Sequence, residues 1–217
     1  MLKDRIVLLN TPEAVEAFID RYPSSVIFKA GTCHKTMQGF GFVQEQLEDR
    51  EDLMCGVIRV VEARAASNLV AERTGIVHES PQVIIFEKGA PVFAVDNWDV
   101  TQEALTVGFS KVAVGDPVAP PSATSGSDLR PYFDVLEKFL SGGIDADQFE
   151  HTYTYMFRGD ATLRPGDEVD ILNSIFGDVD QHINMHLMMA GKADNSHLRQ
   201  RAESAYERLK ELASTRA

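Results

Sequence analysis

The sequence predicts an α/β domain, built on a mixed sheet with helices on both faces, followed by an all-α helical-bundle domain. Three observations predict it. Up to about Phe109, short apolar runs alternate with helical patterns. Between Gly115 and Asp128 the chain reads G-D-P-V-A-P-P-S-A-T-S-G-S-D, rich in Pro, Ser, Ala and Gly and free of aromatic residues, the composition of an exposed linker. Beyond it, every segment carries helical spacing. Residues 1–114 are therefore expected to form one domain and residues 128–217 a second, with 115–127 as a tether between separate folding units.

The first domain is justified element by element. Ile6 to Leu9 reads as a strand, and Pro12 to Arg21 as a helix with Thr11 at its N-cap. Val26 to Lys29 is a second strand, and a longer helix follows from about Cys33 to Asp49. Val57 to Val61 reads as a buried strand, Ala63 to Thr74 as a helix closed by Gly75, and Val83 to Phe86 as another strand. Lys88-Gly89 turns the chain into Pro91 to Val95, the antiparallel partner, and a last helix starts near Thr101. This succession is the thioredoxin order. In that fold a reactive thiol sits after an early strand, at the N-terminus of the next helix, where Cys33 falls. A proline in the cis form typically starts the strand before the hairpin, the place taken by Pro81 after Ser80.

The second domain reads as four helices. Asp128 caps the first, with Pro131 in its opening turn, Phe133, Leu136 and Leu140 on one face, and Gly142-Gly143 as its stop. Asp145 and Gln148 have the spacing of a capping box, with Ile144 and Phe149 spaced as a hydrophobic staple. A third helix runs from about Gly166 and carries Leu172, Ile175, Phe176, Val179 and Ile183. A fourth follows Ser196, with Leu198, Ala202, Ala205, Leu209 and Leu212 at helical spacing. Short loops between amphipathic helices imply a small antiparallel bundle.

Composition narrows the function classes. No run approaches the 18 or so apolar residues of a membrane span, and Met1-Leu2-Lys3-Asp4-Arg5 does not open a signal peptide, so a cytoplasmic protein with no membrane partner is expected. Two cysteines, Cys33 and Cys55, are too few for a disulfide framework and form no C-x-x-C pair. The net charge of -12 argues against direct nucleic-acid binding, which needs concentrated Lys and Arg, and favours a basic protein partner. Residues 116–217 carry 10 basic against 17 acidic side chains, the more acidic share.

Thr32-Cys33 and Ser80-Pro81 belong to a larger pattern. Ser67-Asn68, Ala71-Glu72, Gly75-Ile76, His78-Glu79-Ser80-Pro81-Gln82, Trp98 and Thr101 together resemble the monothiol bacilliredoxins of the bacillithiol system. That family usually has Pro and Ser at the second and fourth positions of its Cys segment, whereas this chain reads Cys33-His34-Lys35-Thr36. The second part resembles the bacterial self-protective, colicin-D-like immunity proteins. The match lies in Phe139-Leu140-Ser141-Gly142, in Ile144-Asp145-Ala146-Asp147-Gln148-Phe149, in Ile175-Phe176-x-Asp178-Val179-Asp180 and in the Leu198-Arg199 helix. Such proteins plug the basic active site of a nuclease toxin with an acidic surface.

The chemistry follows from these positions. A thiol at a helix N-terminus meets unpaired N–H groups and the positive end of the helix dipole, which favour thiolate, and Lys35, with His34 if protonated, adds to the effect. With threonine at 36 no internal C-x-x-C disulfide forms, so Cys33 is expected to work alone and to pass its oxidised state to a second thiol. The resemblance implies a substrate surface of Thr32, His34, Lys35, Thr36, Ser80, Pro81 and Trp98, bacillithiol as co-substrate rather than a bound cofactor, and bacillithiolated client proteins. The alternative is an inert Cys33 in a fold used for binding, joined to an immunity bundle that neutralises a nuclease toxin. Trp98 fits packing as well as ligand contact, and Cys55 reads as a small buried hydrophobe. Asp178, His182 and His186 stand at i, i+4 and i+8, a spacing that can hold a metal. The Glu of H-E-x-x-H is missing, so metalloprotease chemistry is not supported, and a polar outer helix face explains the row, so no metal is expected. Asp167, Glu168, Asp170, Asp178 and Asp180 are either a solvated helix face or, with Asp178 and Asp180 foremost, a toxin-binding surface.

Overall fold

The structure is a computed structural model that describes residues 2–32, 34–121, 128–164, 166–176 and 197–215. A 3-10 turn at Leu2–Arg5 leads into β1 (Ile6–Leu8), followed by α1 (Pro12–Arg21), β2 (Ser25–Ala30), α2 (His34–Glu48) and β3 (Met54–Arg59). Then come α3 (Arg64–Thr74), β4 (Gln82–Glu87), β5 (Ala90–Asp96) and α4 (Gln102–Phe109). The sheet order is β1-β3-β2-β4-β5. The first three strands run parallel, and β4 and β5 are antiparallel to their neighbours. This is the topology of the thioredoxin fold.

Local chemistry sets most boundaries. The Thr11 hydroxyl accepts the Ala14 N–H at 3.2 Å, so α1 starts where its cap stands. Gly75 ends α3 at φ 69°, a left-handed conformation in which any side chain would strain the backbone. One strand is displaced from its expected place. β3 begins at Met54 rather than at Val57, and Val61 is exposed beyond its end. The reason is Gly56, which lies inside the strand because Leu9 and Phe18 pack over it; an added Cβ would come within 2.4 Å of Leu9 Cδ1.

Alternation along the strands separates two cores. Val26, Phe28, Cys55, Val57, Val83 and Ile85 face α2 and α4 through Phe40, Val43, Leu47 and Leu105. Val7, Ile27, Ile58, Ile84 and Phe86 face α1 and α3 through Val15, Phe18, Ala66 and Val70.

After residue 128 the described chain is helical: α5 (Arg130–Leu140), α6 (Ala146–Arg158), α7 (Gly166–Asn173) and α8 (Leu198–Thr215). The Asp145–Gln148 capping box forms with both reciprocal hydrogen bonds. Asp128 is one residue too early to be the cap of α5, which is Leu129, but its carboxylate still accepts the Arg130 N–H at 3.0 Å. The helix from Gly166 tightens into a 3-10 turn at Ser174–Phe176, and the expected Val179 and Ile183 positions lie outside the described residues. Phe139 and Phe149 stack with centroids 4.3 Å apart in a third core that also holds Tyr153, Leu172, Leu198 and Leu209.

The tether does not hang free over its described part. Gly115 N–H bonds Asp52, Val118 N–H bonds the Glu51 carbonyl, and Tyr22 donates its hydroxyl to the Ala119 carbonyl. The helical part also touches the α/β part. Asn10 donates to the Phe157 carbonyl at 2.9 Å, the Arg59 guanidinium lies over the Phe157 ring, and Gly166 sits against the backbone of Lys3. The α7 helix thus covers the open side of β1, the edge strand of the sheet.

Candidate thiol-exchange site

The residues around the start of α2 assemble from three separate segments. β2 delivers the chain to Gly31, which is buried because a Cβ there would lie 3.0 Å from Ser80 Oγ and 3.3 Å from Thr36 Oγ1. The loop before β4 therefore presses against the first turn of α2. That loop contains the cis Ser80–Pro81 bond. Asn97, at φ 52°, donates its N–H to the Pro81 carbonyl at 2.8 Å and its side-chain amide to Glu79 at 3.1 Å. Gln82 Nε2 donates to the Val77 carbonyl at 2.9 Å.

Thr36 is fully buried, whereas Thr32 and His34 are exposed. Trp98, 60% exposed, packs on the same turn of α2: the His34 ring is 5.7 Å from it, and Lys35 Nζ stands 4.4 Å from its centroid in a cation–π contact. Beside this platform opens a cavity of about 420 Å³, whose walls include Lys35, Gln38, Phe42, Thr101 and Glu103. Carboxamides and an ammonium group on an aromatic wall can hold the polar body of a small ligand.

Cys33 lies outside the described residues, as do Asp178, Asp180, His182 and His186. Cys55 is fully buried in β3, and that burial pushes its thiol up to about 12 against the pull of the Arg5 charge. A thiol so held does not attack disulfides at neutral pH. Among the described residues no three His, Cys, Asp or Glu side chains are placed to hold a metal ion, and no helix is long and apolar enough to cross a membrane.

Glu168 departs from both expected roles. It is fully buried rather than on a solvated or partner-facing surface, because Arg164 reaches it at 3.0 Å and Asp160 at 2.5 Å from one guanidinium. A second buried charge was equally hidden from spacing arguments. Lys29, fully buried in the middle strand, extends its ammonium to 3.5 Å from His78 Nδ1, and Ser67 Oγ lies 3.1 Å from the same nitrogen. Burial pulls Lys29 down to about 8. The signal for it was a lone charge inside the apolar run V-I-F-K-A.

Fold and loop placement define a thioredoxin-fold unit with a cis-proline loop set against the helix that follows Cys33. Residues 7–105 match the model of the family described as monothiol bacilliredoxin BrxC. Residues 128–209 match the family described as bacterial self-protective colicin-like immunity. The chain therefore joins a bacilliredoxin-like part to a colicin-immunity-like part. Among solved structures it is similar to oxidized mitochondrial thioredoxin 3 from Saccharomyces cerevisiae, at 15% identity over 52% of this chain and 100% of that one, with a TM-score of 0.43. A redox protein from Chlamydomonas reinhardtii matches at 22% identity over 58% of this chain and 42% of its own, with a TM-score of 0.43. Thioredoxin O1 from Arabidopsis thaliana, in the oxidized state, matches at 18% identity over 49% of this chain and 96% of its own, with a TM-score of 0.40.

Proposed function

We propose that residues 1–114 carry out monothiol thiol–disulfide exchange through Cys33, removing bacillithiol or a similar small thiol from client proteins in a reducing cytoplasm. The observation that carries this reading is the match of residues 7–105 to the monothiol bacilliredoxin family, in a chain whose other thiol is buried and inert. The Cys33 thiolate attacks the small thiol's sulfur in the mixed disulfide. The S–S bond between the small thiol and the client's cysteine breaks, the client leaves as a thiolate that takes up a proton, and the small thiol stays bonded to Cys33. A second thiolate then attacks that new disulfide and regenerates Cys33. Lys35 supplies positive charge with His34 beside it, the backbone of Ser80 before the cis Pro81 is offered to the client, and Trp98 with its neighbouring cavity takes the body of the small thiol. De-thiolation of a bacillithiolated client tests this directly: Cys33→Ser is expected to abolish it and Cys55→Ala to leave it within about twofold, since a buried thiol of this kind does not compete. Equal loss in both variants contradicts the reading.

A second reading attaches to residues 128–217, favoured by the match of residues 128–209 to the immunity family. In it the acidic helical part, with Asp178 and Asp180 toward the partner, neutralises a basic nuclease toxin, and residues 115–127 join the two activities. Co-expression with such a toxin is expected to show protection that survives Cys33→Ser and weakens when Asp178 and Asp180 are both neutralised. Protection that requires Cys33 removes this reading.

A further inference from the structure

A lysine with no exposure in the middle strand of a sheet demands an explanation, because burying an ammonium is expensive unless a partner accepts its proton. Among the described residues the hydrogen-bond partner of Lys29 Nζ is His78 Nδ1. An ammonium only donates, so this nitrogen is the unprotonated one and the imidazole is neutral, with its proton on Nε2. Ser67 Oγ, from α3, contacts the same Nδ1. The three residues come from β2, α3 and the loop before β4, and His78 stands two residues before Ser80, which presses on Gly31 and Thr36.

We propose that Lys29, Ser67 and His78 form a proton-controlled clasp that positions the cis-proline loop against the first turn of α2. It is closed while His78 is neutral and released when His78 is protonated. Protonation puts a hydrogen on Nδ1 and a second positive charge 3.5 Å from a buried ammonium that has nowhere to move in the central strand. Half-buried His78 is the side that yields, and it carries its loop with it. The charged groups facing His78 are Lys29 from β2 and Arg64 from α3, which oppose its protonation, and Glu79 from its own loop, which favours it. Burial, then Lys29 and Arg64, keep His78 below its ordinary value, so the clasp stays shut at neutral pH. Lys29, Ser67 and His78 are positioning residues here. That the loop serves thiol exchange rests on the function proposed above; the clasp itself does not.

The test is an NMR titration of the full-length protein between pH 7.5 and about 5, following the His78 imidazole and the amide exchange of Val77, Glu79 and Ser80. In the wild type, His78 is expected to titrate below its free value of about 6.5, and the three amides to open by about tenfold over intrinsic exchange along the same curve. In Lys29→Met, His78 returns toward its free value and the amide transition disappears. In His78→Gln, whose carboxamide oxygen accepts from Lys29 but does not titrate, the loop stays closed across the whole range. Amides that ignore the His78 titration in the wild type, or a transition that persists in His78→Gln, overturn the clasp. De-thiolation measured on the same samples separates the claims: a protein without exchange activity whose loop still follows His78 keeps the clasp and loses only the function.

Discussion

Replacing Arg164 with leucine is expected to destabilise the helical part by about 3–5 kcal/mol, because it removes one member of ion pairs that the fold has already taken out of water. The Arg164 guanidinium, 6% exposed, holds Asp160 Oδ2 at 2.5 Å and Glu168 Oε2 at 3.0 Å. It also donates to the Asp128 carbonyl and lies over the Tyr132 ring. Burial works against its charge, but the two carboxylates outweigh burial and hold it above its ordinary value. Tyr132 donates its hydroxyl to Asp160 at 2.8 Å, so that carboxylate keeps a partner when the arginine is lost. Glu168, with no exposure, loses the 3.0 Å ion pair with Arg164. Urea denaturation followed by helical signal measures the loss. Adding Glu168→Leu to Arg164→Leu is expected to recover part of it, since removing both members of a buried ion pair costs less than removing one. A single variant within about 1 kcal/mol of the wild type, the worth of an exposed pair, would contradict the network.

The second large effect has the opposite sign. Lys29→Met is expected to raise stability at pH 7 by roughly 3 kcal/mol, the cost of holding a buried amine near 8 rather than at its free value of 10.5. A lowered folded-state value means that the folded protein sheds a proton which the unfolded chain keeps. The penalty is therefore complete below about 8, shrinks as pH rises from there to 10.5, and is gone above it. The advantage of methionine should follow the same course, largest at neutral pH and absent near pH 10.5. Thermal melts at several pH values read it out. A methionine variant less stable than the wild type at pH 7 would mean that the contact with His78 outweighs the desolvation of Lys29. Such a residue, costly to the fold and joined to the cis-proline loop, is where stability is expected to be given up for function.

How far the fold is legible in the sequence depends on the range of the forces that decide each feature. The Thr11 cap, the Asp145–Gln148 box, the Gly75 stop and the Lys88-Gly89 turn are settled within a few residues, and each stands where its pattern puts it. Gly56 reads as a break in isolation. It belongs in β3 only because Leu9 and Phe18, far away in sequence, need the space. Glu168 looks like one more acidic residue on a polar face until tertiary packing closes over the pair it makes with Arg164. The same holds at the site. Element order alone brings the segment after β2 and the Ser80–Pro81 loop to the same end of the sheet. The contact of Lys29 with His78 spans 49 residues, and the Trp98 platform joins α2 to the turn after β5, so neither has a local signature. Over its described part, residues 115–121, the tether forms no helix or strand, and its Pro-rich composition is silent on the hydrogen bonds it makes to Asp52 and Glu51.

The most direct measurement is the intact mass of the reduced full-length protein after incubation with bacillithiol disulfide, with the modified residue located by peptide mapping. Exchange through one sulfur predicts a single added bacillithiol on Cys33, released by excess thiol and missing from Cys33→Ser, with Cys55 unmodified while the protein is folded. An unmodified wild type would contradict it and leave the α/β part as a binding module, and an adduct that persists in Cys33→Ser would contradict it by placing the reactive sulfur elsewhere.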